Sequence, residues 1–116
     1  METKDAITAL SALAHEGRMA VFRLLVRAGP QGLSAGEIAE ATGALANTLS
    51  TNLGILARAD LVTSRREGRS IIYTAGFGGM RELLAFLMED CCAGQPEVCG
   101  ATAEIIARPC GPTATA

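Results

Sequence analysis

A chain of 116 residues is long enough for one domain and a modest core, and short enough that a second subunit would enlarge that core usefully. Apolar residues make up 49% and aromatics only 3%, which excludes a disordered chain and leaves aliphatic side chains to fill the interior. A net charge of −2 gives no overall basic footprint, yet the charge is segregated. In the middle of the chain Arg58, Arg65, Arg66 and Arg69 are offset only by Asp60 and Glu67, whereas acids outnumber bases from Glu82 to Glu104. No apolar run approaches the ~18 residues of a membrane span. The N-terminus also lacks the basic start and apolar block of a secretion signal, so a cytoplasmic chain with no membrane partner is expected. Thiols stay reduced there, and four cysteines then point to metal or redox chemistry rather than structural disulfides.

Ile7, Leu10 and Leu13 have helical spacing and predict a first helix over 4–13. The stretch AHEGRMAVFRLLVRAG follows, with an apolar stripe of Val21, Phe22, Leu25 and Val26 that Gly29-Pro30 stops. His15, the only histidine, precedes this second helix, where a capping or buried role fits it better than a base or ligand role. Ser34, three residues before Glu37, makes a capping-box pattern for a short third helix ending near Gly43. ALANTLSTNLGILARADL is the fourth helix. Leu45, Leu49, Leu53 and Leu56 line one side of it, and Asn47, Thr48, Thr51 and Asn52 share another. The period then changes. LVTSRREGRSIIYTA predicts a β-hairpin around Glu67-Gly68 with Arg65, Arg66 and Arg69 at its tip. GGMRELLAFLMEDCC returns to helix, with Met80, Leu83, Leu84, Leu87 and Met88 on one stripe, and Gly94 and Pro96 end it. ATAEIIA allows one or two more turns before a loose tail from Pro109. Residues 1–92 are thus expected as one domain and 93–116 as a cysteine-containing extension.

Helix, turn, helix, hairpin is the order of a winged helix-turn-helix, a mainly α fold with one β-hairpin. The second helix of such a pair enters the DNA major groove near its N-terminal end. Asn47, Thr48, Ser50, Thr51 and Asn52 suit base edges or phosphates, because they are short, uncharged and hydrogen-bonding. Arg65, Arg66 and Arg69, with Arg58 and Ser34 in support, suit phosphates, which a guanidinium engages through two parallel bonds. The stripe through Met80, Leu83, Leu84, Leu87 and Met88 is too apolar to stay wet on a small domain, which predicts a homodimer.

LAHEGRMAVFRLL, LSAGEIAEATGALANTLSTNLGILARADLV and RREGRSIIY together resemble the ArsR-type metal-responsive winged-helix repressors, over roughly residues 4–90. The resemblance implies a dimer built through the first and last long helices, adding Ile7 and Leu10 to the interface. It also implies a palindromic double-stranded operator with the two reading helices ~34 Å apart. Two positions depart from the family: Asn52 stands where it often has His, and Asp60 where it often has Gly. The family's best-known arsenic site, a Cys-x-Cys motif on the third helix, is absent from LSAGEIAEATG.

The thiols lie instead in DCCAGQPEVC. Adjacent Cα atoms sit about 3.8 Å apart, below the ~4.4–6.8 Å of an unstrained disulfide, so Cys91 and Cys92 more easily share an ion than a bond. The Gly94-Gln95-Pro96 break lets Cys99 fold back onto them. A helix C-terminus just after Glu89 and Asp90 opposes thiolate formation, which argues against a thiol enzyme; a soft ion drives the protons off. Three thiolates without a fourth ligand suit pyramidal As(III) or Sb(III), and CCAGQPEVC resembles the C-terminal thiol sites of some ArsR-type repressors. Cys110 is either spare or a substitute for Cys99. The expectation is a repressor that As(III) or Sb(III) releases from DNA, serving arsenical resistance. An organoarsenical, cadmium or zinc, or thiol oxidation stand as alternative signals.

Overall fold

The structure is a computed structural model that describes residues 1–89. Its elements run α1 (Thr3–Leu13), α2 (Glu16–Ala28), a 3-10 turn (Gly29–Gln31), β1 (Leu33–Ser34), α3 (Ala35–Thr42), α4 (Ala46–Arg58), β2 (Val62–Glu67), β3 (Ser70–Ala75) and α5 (Phe77–Leu87). This is the expected winged helix-turn-helix.

Local hydrogen bonds set the helix starts. In α2 the Nδ1 of His15 accepts from the backbone N–H groups of Gly17 at 3.1 Å and Arg18 at 3.3 Å, so the histidine is an exposed N-cap. Arg18 turns back and donates to the carbonyls of Ala12 at 2.6 Å and Ser11 at 3.4 Å, satisfying acceptors that the end of α1 leaves open. The capping box of α3 forms as expected. Glu37 N–H donates to Ser34 Oγ at 3.2 Å, and Ser34 N–H donates to the Glu37 carboxylate at 2.9 Å. Helix α4 begins at Ala46, two residues later than its sequence pattern suggests, because Leu45 holds the extended N-cap conformation.

Leu25, Ile38, Leu56, Leu61, Leu83 and Val21 are the largest fully buried side chains. Helix α1 gives this core Ala6, Ala9 and Ala12, while Ile7 and Leu10, expected at a dimer interface, are 57% and 43% exposed. The alanines have the same helical spacing one residue earlier, and their small side chains let α1 lie close to α2, α4 and α5. Leu83 corrects the expected interface stripe: it is fully buried inside its own protomer and belongs to the core. Met80 and Phe86 pack against that core, while Leu87 is 48% exposed.

The sheet order is β1-β3-β2, antiparallel throughout. Glu67 pairs with Ser70, so the tip is the two-residue loop Gly68-Arg69, one position later than expected. Gly68 supplies the positive φ of 63° that such a tight loop needs at its first central residue. The two-residue β1 was too short to read from sequence; it pairs Leu33 with Tyr73 and Ser34 with Ile72, joining the start of α3 to the wing. Asp60 has φ 61°, which explains why the resembling family often places Gly there; Asp is among the residues that tolerate this region. A Cβ at Gly76 or Gly79 would collide with the Asp60 carbonyl oxygen, so the approach to α5 is built on glycines. Among the described residues, no helix is long and apolar enough to cross a membrane.

Candidate nucleic-acid interface

Helix α4 rests on buried Leu49, Leu53 and Leu56 and turns Asn47, Thr48, Ser50 and Thr51 to the exterior. No carboxylate occurs anywhere in Ala46–Arg58. The Thr51 hydroxyl donates to the Asn47 carbonyl at 3.1 Å, which fixes its rotamer. Polar side chains near a helix N-terminus, itself the positive end of the helix dipole, suit contact with a polyanion.

Asn52 does not join them. It is 5% exposed, and its amide nitrogen lies so near α2 that a Cβ at Gly17 would stand 3.2 Å from it. At 3.6 residues per turn Asn52 is only about 40° from Leu56 around the helix axis, so it falls on the buried side. Arg58 stands apart from this polar face. It ends α4 about 16 Å along the axis from Asn47 and lines a surface pocket with Met1, Asp5, Thr8, Asp60 and Glu82, a setting of carboxylates.

The wing arginines divide. Arg65 Nε donates to Glu67 Oε2 at 2.6 Å, Nη1 to the Pro30 carbonyl at 3.1 Å and Nη2 to the Gln31 carbonyl at 2.8 Å. It staples the wing to the 3-10 turn, so its donors are already engaged within the fold. Arg66 and Arg69 are exposed and have no hydrogen-bond or ion-pair partner among the described residues. Ser34 is half-buried and engaged in capping α3.

A second, apolar surface comes from Ile7 and Leu10 of α1 and Leu87 of α5, with Leu84 and Met88 half-buried; α1 and α5 pack on one another. Met80 is half-buried against the core. Two further apolar residues are exposed: Leu45, at 77%, which parts from the buried Leu49, Leu53 and Leu56 of its expected stripe, and Ile71, at 48% and paired with Arg66 across the wing. Helix α5 ends at Leu87, short of the end expected at Gly94, and Cys91, Cys92, Cys99, Cys110 and the ATAEIIA segment lie outside the described residues. Among the described residues no group of three His, Cys, Asp or Glu side chains could hold a metal ion.

Comparisons with known proteins agree with this geometry. A helix-turn-helix domain family matches residues 13–65, from the end of α1 into the wing. The HTH-type transcriptional regulator Rv0081 of Mycobacterium tuberculosis is 38% identical over 74 residues, 63% of this chain and 62% of that protein. The chain thus spans about 62% of the length of the curated relatives it matches. Among solved structures, the homodimeric winged helix-turn-helix DNA-binding domain of Mb0332 from Mycobacterium bovis, a possible ArsR-family regulator, superposes with a TM-score of 0.60 at 27% identity, covering 84% of each chain. An ArsR-like transcriptional regulator from Rhodococcus sp. RHA1 gives 0.68 at 25% identity, covering 90% of this chain and 93% of that one. With its helix-turn-helix and its wing, the chain is a winged helix-turn-helix similar to HTH-type and ArsR-like transcriptional regulators.

Proposed function

We propose that the protein is a cytoplasmic homodimeric repressor that holds a palindromic duplex operator when empty and releases it when As(III) or Sb(III) binds Cys91, Cys92 and Cys99. The observation that carries the DNA half is the exposed, carboxylate-free face of Asn47, Thr48, Ser50 and Thr51 on α4, in a fold whose wing offers Arg66 and Arg69 without a partner among the described residues. The homodimeric relative and the exposed Ile7, Leu10 and Leu87 support two copies per operator.

The sensing half rests on sequence. Cys91 and Cys92 follow the end of α5 by four and five residues in the chain, and α5 carries Leu87 of the apolar seam. A thiophilic ion bound there would act next to the dimer contact, and any change in that contact alters the spacing of the two α4 helices. Coupling of this kind is typically ~1–3 kcal/mol and acts both ways: DNA would weaken arsenite binding as much as arsenite weakens DNA binding.

Fluorescence anisotropy on a duplex enriched from random sequence tests both halves. Arsenite should release the wild-type protein, while Cys91→Ser and Cys92→Ser variants should bind the duplex and stay bound. Parallel titrations with cadmium, zinc and peroxide identify the signal if arsenite is not it. Wild-type release of both variants by arsenite would exclude the thiol site.

A further inference from the structure

Leu45 is the most exposed large apolar side chain among the described residues, at 77%. It occupies the N-cap of α4, a position that favours Ser, Thr, Asp or Asn because their side chains accept from the first free N–H groups. The other helix of the pair uses that device: α3 is capped by Ser34, and α2 by His15. Helix α4 has no side-chain cap, so Leu45 forgoes a stabilising bond and gains no burial in return. It stands two residues before the outward-facing Asn47, on a different element from the seam residues Ile7, Leu10 and Leu87 of α1 and α5. An apolar side chain beside hydrogen-bonding ones matches a specific feature of the major groove. Thymine alone among the four bases presents a methyl group there, with acceptors and donors on neighbouring bases.

We propose that Leu45 is a specificity-determining residue that selects thymine by packing against its C5-methyl group; this rests on α4 entering the major groove. Burying that one methyl group contributes roughly a fourfold preference for thymine over uracil in each half-site, and about fifteenfold across two half-sites. Alanine is too short to make the same contact, so Leu45→Ala should lose the preference while Asn47 and Thr48 continue to bind.

Duplexes are first enriched from a random pool with wild-type protein. Thymines in the enriched site are then replaced one symmetric pair at a time by uracil, which removes only the methyl. Anisotropy is measured with wild type, Leu45→Ala and Leu45→Met, and thermal melting confirms that all three are folded. One thymine pair should cost the wild type about fifteenfold on replacement and cost Leu45→Ala less than twofold, with Leu45→Met between them. If Leu45→Ala keeps every uracil sensitivity of the wild type, the role of Leu45 is overturned and the DNA-reading proposal stands. If the wild type enriches no duplex at all, both fall together.

Discussion

Two surfaces of this small domain are exposed, and they differ in chemistry. The α1–α5 side shows Ile7, Leu10 and Leu87, aliphatic groups that water does not favour. The α4 and wing side shows Asn47, Thr48, Ser50, Thr51, Arg66 and Arg69, without a carboxylate on the helix. Exposure alone therefore says little; the composition of what is exposed distinguishes a surface suited to a second copy from one suited to a polyanion.

The sharpest way to break that distinction is to compare neighbours on α5. Leu83→Ala should cost about 2–5 kcal/mol of stability in chemical denaturation, because Leu83 is part of the protomer core. The double variant Ile7→Asp, Leu87→Asp should leave the helical circular-dichroism signal unchanged but sediment as a monomer. Its affinity for an enriched duplex should fall about 100-fold, through loss of bivalent engagement. A folded variant that remains dimeric would remove the seam from the account.

The wing offers a finer contrast. Arg66→Ala or Arg69→Ala should each lower the slope of log affinity against log salt by about 2 in a dimer, one phosphate per subunit. Arg65→Ala should change that slope little and instead lower thermal stability by about 1 kcal/mol, since its donors go to Glu67, Pro30 and Gln31. A similarly small effect is expected at the N-cap of α2. There His15→Ala should cost about 1 kcal/mol in thermal denaturation, and His15→Asn should restore it.

These contrasts also mark what the sequence could carry. Local signals were legible: the Ser34–Glu37 capping box, the stop at Gly29-Pro30 and the hairpin all depend on residues close together in the chain. Choices made between elements were not. Ala6, Ala9 and Ala12 share the spacing of the Ile7–Leu10 stripe, and only the packing of α1 on its neighbours selects the smaller set. Arg65 reads like Arg66 until the fold brings Pro30 and Gln31 to it across 34 or more residues. Asn52 looks like a member of the polar face because it is polar, yet its place around the helix turns it inward. Leu45 has the spacing of Leu49, Leu53 and Leu56, but it stands outside the helix as its N-cap, where that spacing no longer sets which way it faces.

The most direct test of two copies reading one duplex is a hydroxyl-radical footprint of the wild-type protein on its enriched sequence. The account predicts two protected stretches related by a two-fold axis and centred about one helical turn, ~34 Å, apart. A single protected stretch, or one that the Ile7→Asp, Leu87→Asp variant reproduces at equal concentration, would contradict it.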